Sequence, residues 1–503
     1  MKIRRPASSA RRGFVLLAIL VFIMLISMVT VSLLFRSRAE ETAAGASRGG
    51  EQAWAAAFSG IQQVLQVAVA AKTGNSEWRD NPAAFRERLV FEDGSDRWHF
   101  TVFSPGDSES LTEIRYGLTD EASRVNLNRP GGCDLAKIPR MTETMVQSVR
   151  GGAGGRETDR LDRLTGTLPG TPAAVPELTE TAASPGDTLS LPVPPPLAAG
   201  STNTGSFATV EALLRFPDFT SELLFGEDIN RNGRLDPNEN DGDETQPPDN
   251  RDGRLDHGMS QYLTTTAYDP DLTQGGQRRV DLNDPLASLP SADLPPAFTN
   301  YVAALRGAGL RLGHPVEVLE SAVRVKNAEG QETEIASGIT KEELPRVLDL
   351  FTTGGEARRE GLINVNTASA IVLATLPGMD LSLAETVTAA RPGLRPDQRA
   401  TPAWLLTEGL VDAALFRRIA PFLTAHSYQF RFHVIGYAVP SGQFRVFQVE
   451  LDVAGETPVI TRVRDLTRLG LPFNLLSETL EQTTPGTASS HSILPSPPPR
   501  THG

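Results

Sequence analysis

The residues whose spacing most plainly implies chemistry run from Asp228 to Glu239. They read Asp228-Ile229-Asn230-Arg231-Asn232-Gly233-Arg234-Leu235-Asp236-Pro237-Asn238-Glu239. Side-chain oxygens fall at positions 1, 3, 5, 9 and 12 of the stretch. Gly233 at position 6 permits a sharp turn, Leu235 at position 8 can anchor it, and Arg234 at position 7 offers its backbone carbonyl. A divalent ion that wants six to eight hard oxygens is served by this pattern, and zinc, which prefers nitrogen and sulfur, is not. The expected ligands of a structural calcium ion are therefore Asp228, Asn230, Asn232, Arg234, Asp236 and Glu239. From Glu227 to Asp256 ten acids stand against four arginines, a crowding that repels itself without a cation. Asn250-Arg251-Asp252-Gly253-Arg254-Leu255-Asp256 is a weaker echo, with no acid at the first or last position of the twelve-residue loop it would belong to. Asn250, Asp252 and Asp256 thus either complete the first site or hold a poorer second one. The plainer reading of both stretches is a solvated acidic loop. Flanking helices are not evident, so a calcium loop without a full EF-hand is expected.

Other chemistry finds little support. Gly45-Ala46-Ser47-Arg48-Gly49 matches the G-x-S-x-G nucleophile pattern, but it follows a long apolar stretch instead of sitting on a strand-to-helix elbow. The histidines are scattered, with no H-E-x-x-H helix, and no phosphate-cradling G-x-x-x-x-G-K-[ST] occurs. A single cysteine, Cys133, excludes an internal disulfide framework and a cysteine zinc site. The net charge of -13 argues against a general nucleic-acid coat. The chain is expected not to be an enzyme.

What positions these residues begins at the N-terminus. Phe14 to Phe35 is a run of 22 residues without a charge, preceded by Lys2, Arg4, Arg5, Arg11 and Arg12. At about 1.5 Å per residue the run reaches roughly 33 Å, the thickness of a bilayer core. The cations keep the leader cytoplasmic, so the bulk of the chain lies across the inner membrane. A secretory signal would end in small residues; here the run ends in Leu33-Leu34-Phe35-Arg36, and the glycine lies on the other side. Arg12-Gly13-Phe14 resembles the leader of type IV pilins and type II secretion pseudopilins. The resemblance implies that prepilin peptidase cuts after Gly13 and that Phe14 becomes an N-methylated first residue. Most pilins carry Glu five residues after the cut, where this chain has Ala18. In these families the missing acid is the habit of the K-type minor pseudopilin, which has no subunit above it.

Arg36 to Lys72 continues as a helix, with Trp54, Phe58, Ile61 and Leu65 forming one apolar stripe toward a partner. Gly49-Gly50 is its expected weak point. Arg97 to Phe103 alternates as a half-buried strand, and Ile114 to Leu118 is a shorter one. Strand signals resume with Phe430, Phe432 and Val434, turn at Pro440-Ser441-Gly442, and return through Leu451 and Val453 as a hairpin. The region between reads as helix and loop. Gly151 to about Gly205, and the tail from Ser477, are rich in Pro, Thr, Ala and Gly and lack apolar periodicity, so both are expected to be a disordered linker and tail.

Val125-Asn126-Leu127-Asn128 repeats as Ile363-Asn364-Val365-Asn366, 238 positions later. The register holds through Leu135/Leu373, Pro139/Pro377, Met141/Met379 and Val149/Val387. Each copy offers a capped helix, a Pro-containing turn and a second helix, the pattern of a helix-hairpin-helix unit. In the second copy Thr367 or Asn366 can cap the helix and Gly378 makes the turn; in the first, Arg140 replaces that glycine. Ile363 to Ala368 also resembles a membrane-anchored DNA receptor of the competence type, the alternative function. Charge decides against it: five arginines and five acids balance between residues 361 and 425, and Asp380 stands where phosphate would sit. No nucleic-acid partner is expected.

Leader, missing Glu and repeats together make the resemblance specific. Thr119 to Asn126, Phe207 to Leu214, Gly361 to Ala368 and Ala425 to Phe430 all look like type II secretion protein K. That resemblance implies an α+β fold in which a long N-terminal transmembrane helix packs on a small antiparallel sheet, with a large α-helical domain inserted. The layout expected is a leader over 1–13, the helix over 14–72, the first sheet strands over 73–118, an inserted domain over 119–425, closing strands over 426–476 and a tail over 477–503. Within the insert lie the linker 151–205, the calcium loop region 227–256 and the helix-hairpin-helix-like unit 361–425. The family implies I- and J-type minor pseudopilins and the pseudopilus as partners, a tip position, and a role in protein export across the outer membrane.

Overall fold

The computed structural model describes residues 12–73, 77–106, 114–153, 206–229, 231, 235–242, 244–245, 247–290, 294–326 and 332–471. The leader residues 1–11, most of the linker and the whole tail expected from the sequence lie outside the described residues.

Helix α1 (Arg12–Val69) is unbroken over 58 residues, Gly49-Gly50 included. Its N-terminal half is long and apolar enough to cross a membrane, and none of that stretch is buried. The other half seats on an antiparallel sheet through small side chains: Ala53, Ala56 and Ala57 are fully buried, followed by Ile61, Val64 and Ala68. The expected stripe is therefore corrected. Ile61 enters the core and Phe58 and Leu65 line its rim, while Trp54 stays on the flank, stacked on Phe58 with ring centroids 5.2 Å apart. The face that docks is the one with least bulk, because it lets the helix backbone approach the sheet.

The sheet comprises β1 (Arg88–Asp93), β2 (Asp96–Pro105), β3 (Ile114–Arg115), β4 (Thr119–Asp120), β5 (Gln429–Val439), β6 (Phe444–Asp452) and β7 (Val459–Asp465). Its order is β1-β2-β5-β6-β7, with β3 on β2 and β4 on β5. β2 and β5 pair antiparallel, His433 facing Phe103 and Ala438 facing Trp98. Alternate residues follow the two-residue rhythm of a strand. Phe100, Val102, Phe430, Phe432, Val434, Val449 and Leu451 face α1 in one apolar cluster. Phe103, Ile435, Tyr437 and Val446 form another on the opposite face.

Residues 121–428 lie between β4 and β5 and build two further clusters. The larger gathers Leu127, Leu135, Val149, Leu263, Ile363, Val365, Leu373, Val387, Trp404 and Phe416. The smaller surrounds Phe298, Tyr301 and Phe351. The region is less helical than the expected α-domain: besides α2 (Glu143–Ala153) and α3 (Pro296–Gly307) it holds short helices, two-residue strand pairs and the hairpin Ala322–Lys326 with Glu332–Ala336. Proline at the first or second position of α3, Pro315–Val318 and Leu344–Leu350 starts each as a new short turn of helix.

The repeat at 238 positions has a structural counterpart. Val125-Asn126 pairs parallel with Leu263-Thr264, and Ile363-Asn364 pairs parallel with Leu423-Thr424. The Asn128 amide nitrogen donates to the carbonyls of Phe207 and Thr265, and that of Asn366 to Arg399 and Ala425. The partner strands thus repeat too, 160 positions apart, as Leu263-Thr264 through Tyr268 and Leu423-Thr424 through Tyr428. The second copy continues into α4 (Ala370–Ala374) and α5 (Leu381–Ala390), and α2 of the first copy begins 238 positions before α5. Ser369, not Thr367 or Asn366, caps α4 by accepting from the Val372 amide, because the Thr367 hydroxyl is given to Asp120.

Candidate functional site

The acidic segment 227–256 is cinched at its base. Gly226 and Gly258 both take the left-handed backbone, with φ of +65° and +57°. A Cβ on Gly226 would stand 2.6 Å from the Gly258 nitrogen, so the two ends meet with no room for a side chain. Across the base the Glu227 amide donates to the Asp256 carbonyl at 2.9 Å and the Asp256 amide to Glu227 Oε2 at 3.0 Å. Glu227, which the sequence reading did not single out, is buried.

Of the six expected calcium ligands, Asp228, Asp236 and Glu239 are described, while Asn230, Asn232 and Arg234 lie outside the described residues with Gly233. Asp228 and Glu239 are buried, and the Asp236 amide donates to Glu239 Oε2 at 3.0 Å within the turn Pro237–Glu239. Burial pushes the Glu239 carboxyl up to about 7, and the charges of Asp228, Asp236 and Glu227 push the same way. Among the described residues no three Asp, Glu, His or Cys side chains converge enough to hold a metal ion. Of the second set, Asn250 Nδ2 donates to Asp252 Oδ2 at 3.1 Å on an exposed turn, whereas Asp256 lies at the base and accepts from the Gly258 amide.

A second assembly joins the sheet to residues 121–428. Asp120, on β4, is buried and accepts from Thr367 Oγ1 at 2.6 Å, Ser427 Oγ at 2.8 Å, Asn364 Nδ2 at 2.9 Å and the Ala122 amide at 2.9 Å. Burial raises its carboxyl to about 6 against those four donors, which pull it down. Beside it, three glutamates each bridge two arginines through one oxygen. Glu121 Oε1 lies 3.1 Å from Arg431 and 3.7 Å from Arg124. Glu450 Oε1 lies 3.4 Å from Arg431 and 3.6 Å from Arg462, and Glu211 Oε1 lies 2.9 Å from Arg231 and 3.5 Å from Arg464. Burial alone would raise Glu121, but Arg431 and Arg124 hold it below its usual range, helped by the Thr264 hydroxyl. Burial brings Arg124 down to about 10. This network borders a cavity of about 550 Å³ between the sheet and the residues that precede β5. The sequence signal for it was slight: alternate Arg462 and Arg464 on an otherwise ordinary strand.

The turn after α4 is a packing joint. Lys137 Nζ donates to the Ala374 and Met379 carbonyls, each at 2.8 Å, tying the first repeat to the second. Gly378 lies against Leu415 and Arg418 of α6 (Ala413–Ile419). Asp380 caps α5 by accepting from the Leu383 amide at 2.8 Å. Ser47 sits mid-way along α1 on an exposed face, not on an elbow. Gly13 and Phe14 fall within the first turn of α1, and their side chains lie outside the described residues.

The family model described as type II secretion system (T2SS), protein K, matches residues 363–410, from the Ile363-Asn364 strand through α4, α5 and the Trp404–Thr407 helix. No curated protein matches the chain.

Proposed function

We propose that this chain is a K-type minor pseudopilin that ends the pseudopilus of a type II secretion machine and acts in its assembly and in export across the outer membrane. The observation that carries the reading is the family match over residues 363–410, in a chain whose first helix is apolar and exposed before it seats on an antiparallel sheet. On this reading prepilin peptidase removes residues 1–13, Phe14 is methylated, and the apolar half of α1 is held in the inner membrane until it is drawn into a bundle with sister helices. The helix-hairpin-helix-like units pack an inserted domain that is too bulky to stack along a shaft, and I- and J-type minor pseudopilins are its neighbours. A structural calcium ion is held at Asp228 to Glu239. The DNA-receptor alternative draws no support from the turn at Gly378, which is occupied by Lys137, Leu415 and Arg418.

Mass spectrometry of the native N-terminus tests the reading. The expected mature chain begins at a methylated Phe14, and a chain retaining residues 1–13 overturns it. Deletion should abolish protein export and leave DNA uptake unchanged.

A further inference from the structure

Among the described residues, the cavity beside β7 is bordered by more arginines than acids. Five guanidiniums, from Arg124, Arg231, Arg431, Arg462 and Arg464, share three carboxylates. Arg79 and Arg115 line the same cavity with Asp120, Asp228 and Glu385, so that among the described residues seven arginines stand against six acids. The described surroundings of the cavity are thus positive by one charge, in a chain whose overall charge is -13.

Arg462 and Arg464 are two residues apart on one strand, so they project to the same side. Both are loosely held. Arg464 reaches Glu211 Oε1 at 3.5 Å, an oxygen that Arg231 already holds at 2.9 Å, and Arg462 reaches Glu450 Oε1 at 3.6 Å and donates to the Ala208 carbonyl at 3.3 Å. Their side chains line the cavity and are 41% and 35% exposed. Burial lowers the Arg464 guanidinium and the neighbouring Arg231 charge lowers it further, while Glu211 raises it. Paired guanidinium forks bind oxyanions through parallel N–H donors, and a partly dehydrated cavity strengthens that attraction.

We propose that this cavity is a binding site for a small oxyanion, a phosphate or a dicarboxylate, gripped by Arg462 and Arg464. It stands independently of the secretion reading.

Isothermal titration of the full-length protein in detergent, in a chloride-poor buffer, with sodium phosphate and separately with sodium succinate, tests it. Saturable binding that weakens steeply with added salt is expected. The double substitution Arg462→Gln with Arg464→Gln should weaken it at least tenfold. Glu211→Gln, which removes a competing carboxylate, should tighten it about threefold, so the site remains testable if the double variant fails to fold. Arg445→Gln, whose pair with Asp465 is not part of the cavity lining, should bind as the parent does. Tighter binding of phosphate assigns a phosphate group as the natural ligand; tighter binding of succinate assigns a carboxylate. Absence of saturable binding by either anion up to about 10 mM, an affinity of under 3 kcal/mol, overturns the proposal. So does binding that neither variant alters.

Discussion

Ala53 and Gly436 meet backbone to backbone. A Cβ on Gly436 would overlap the Ala53 carbonyl oxygen and stand 2.5 Å from the Ala57 amide nitrogen. The neighbouring residues on that face of β5 are Val434 and Ala438, and Gly60 of α1 lies against Val434 and Phe100. The long N-terminal helix and the sheet are thus joined at a seam of glycine and alanine, where contact is set by backbone approach and not by interdigitated bulk.

Gly436→Ala should therefore push α1 off β5. The obstructing atoms are main chain and cannot rotate aside, so a loss of about 1–3 kcal/mol is expected, read as a lowered unfolding midpoint by circular dichroism in detergent. Gly45→Ala is the matched control. Nothing lies within 4 Å of its Cβ position, and alanine favours a helix interior, so stability should hold or rise by up to about 1 kcal/mol.

Arg140 and Gly378 occupy equivalent places in the two repeats, and both are left-handed, with φ of +64° and +86°. The glycine pays no steric penalty there and the arginine does. Arg140→Gly should stabilise the protein by about 1 kcal/mol, since its ion pair with Asp256 is long, at 3.9 Å, and exposed. Gly378→Ala should cost about as much, with added crowding from Leu415 Cδ1 at 3.0 Å. Urea unfolding of each variant measures both signs.

Asp120 makes stability depend on pH. Its folded carboxyl titrates at about 6, above the ordinary value of 3.8, so the proton is bound more tightly in the folded chain. The contribution is fully present below about pH 4 and is lost as pH rises through about 6. Between pH 7.5 and pH 5 the parent should gain on the order of 1 kcal/mol relative to Asp120→Asn, which cannot titrate. Glu121 and Asp269, whose carboxyls are held low by arginines, work the opposite way in both proteins and cancel in the comparison. A difference that stays flat with pH contradicts this account.

Much of the frame was legible from the residues. A charge-free run must be an apolar rod, and period-two alternation at Phe430, Phe432 and Val434 must be a strand. The match between Asn126 and Asn364 announced a repeat, and both do organise a parallel strand pair. What was illegible depends on proximity between distant parts of the chain. Ala53 and Ala57 carried no signal of docking, because small residues look neutral until Gly436 is set against them. The large stripe at Trp54 and Phe58 was the louder pattern and marked the flank. Likewise Glu121, Glu211 and Glu450 are unremarkable singly; only folding brings Glu121 to Arg431, 310 residues on, and Glu211 to Arg464, 253 residues on. In the acidic segment the ligand spacing was visible, but the glycine clasp at 226 and 258 was not.

That clasp shapes the last prediction. Because Gly226 and Gly258 fix the ends of the segment, part of the ordering needed to bind an ion is already supplied by the fold, and calcium should add to stability instead of creating it. At one hundred times its dissociation constant an ion bound to the folded chain alone contributes about 2.7 kcal/mol. Calcium should raise the unfolding midpoint, EGTA should reverse the gain, and magnesium should substitute poorly because it tolerates a flexible, many-oxygen cage less well. The paired change Asp228→Ala and Glu239→Ala should abolish the response. Asp252→Ala should preserve it, since Asp252 is engaged with Asn250 on the exposed side of the segment. A full calcium response in the Asp228 and Glu239 variant would remove the ion from this loop, and loss of the response with Asp252→Ala would move it to the second set.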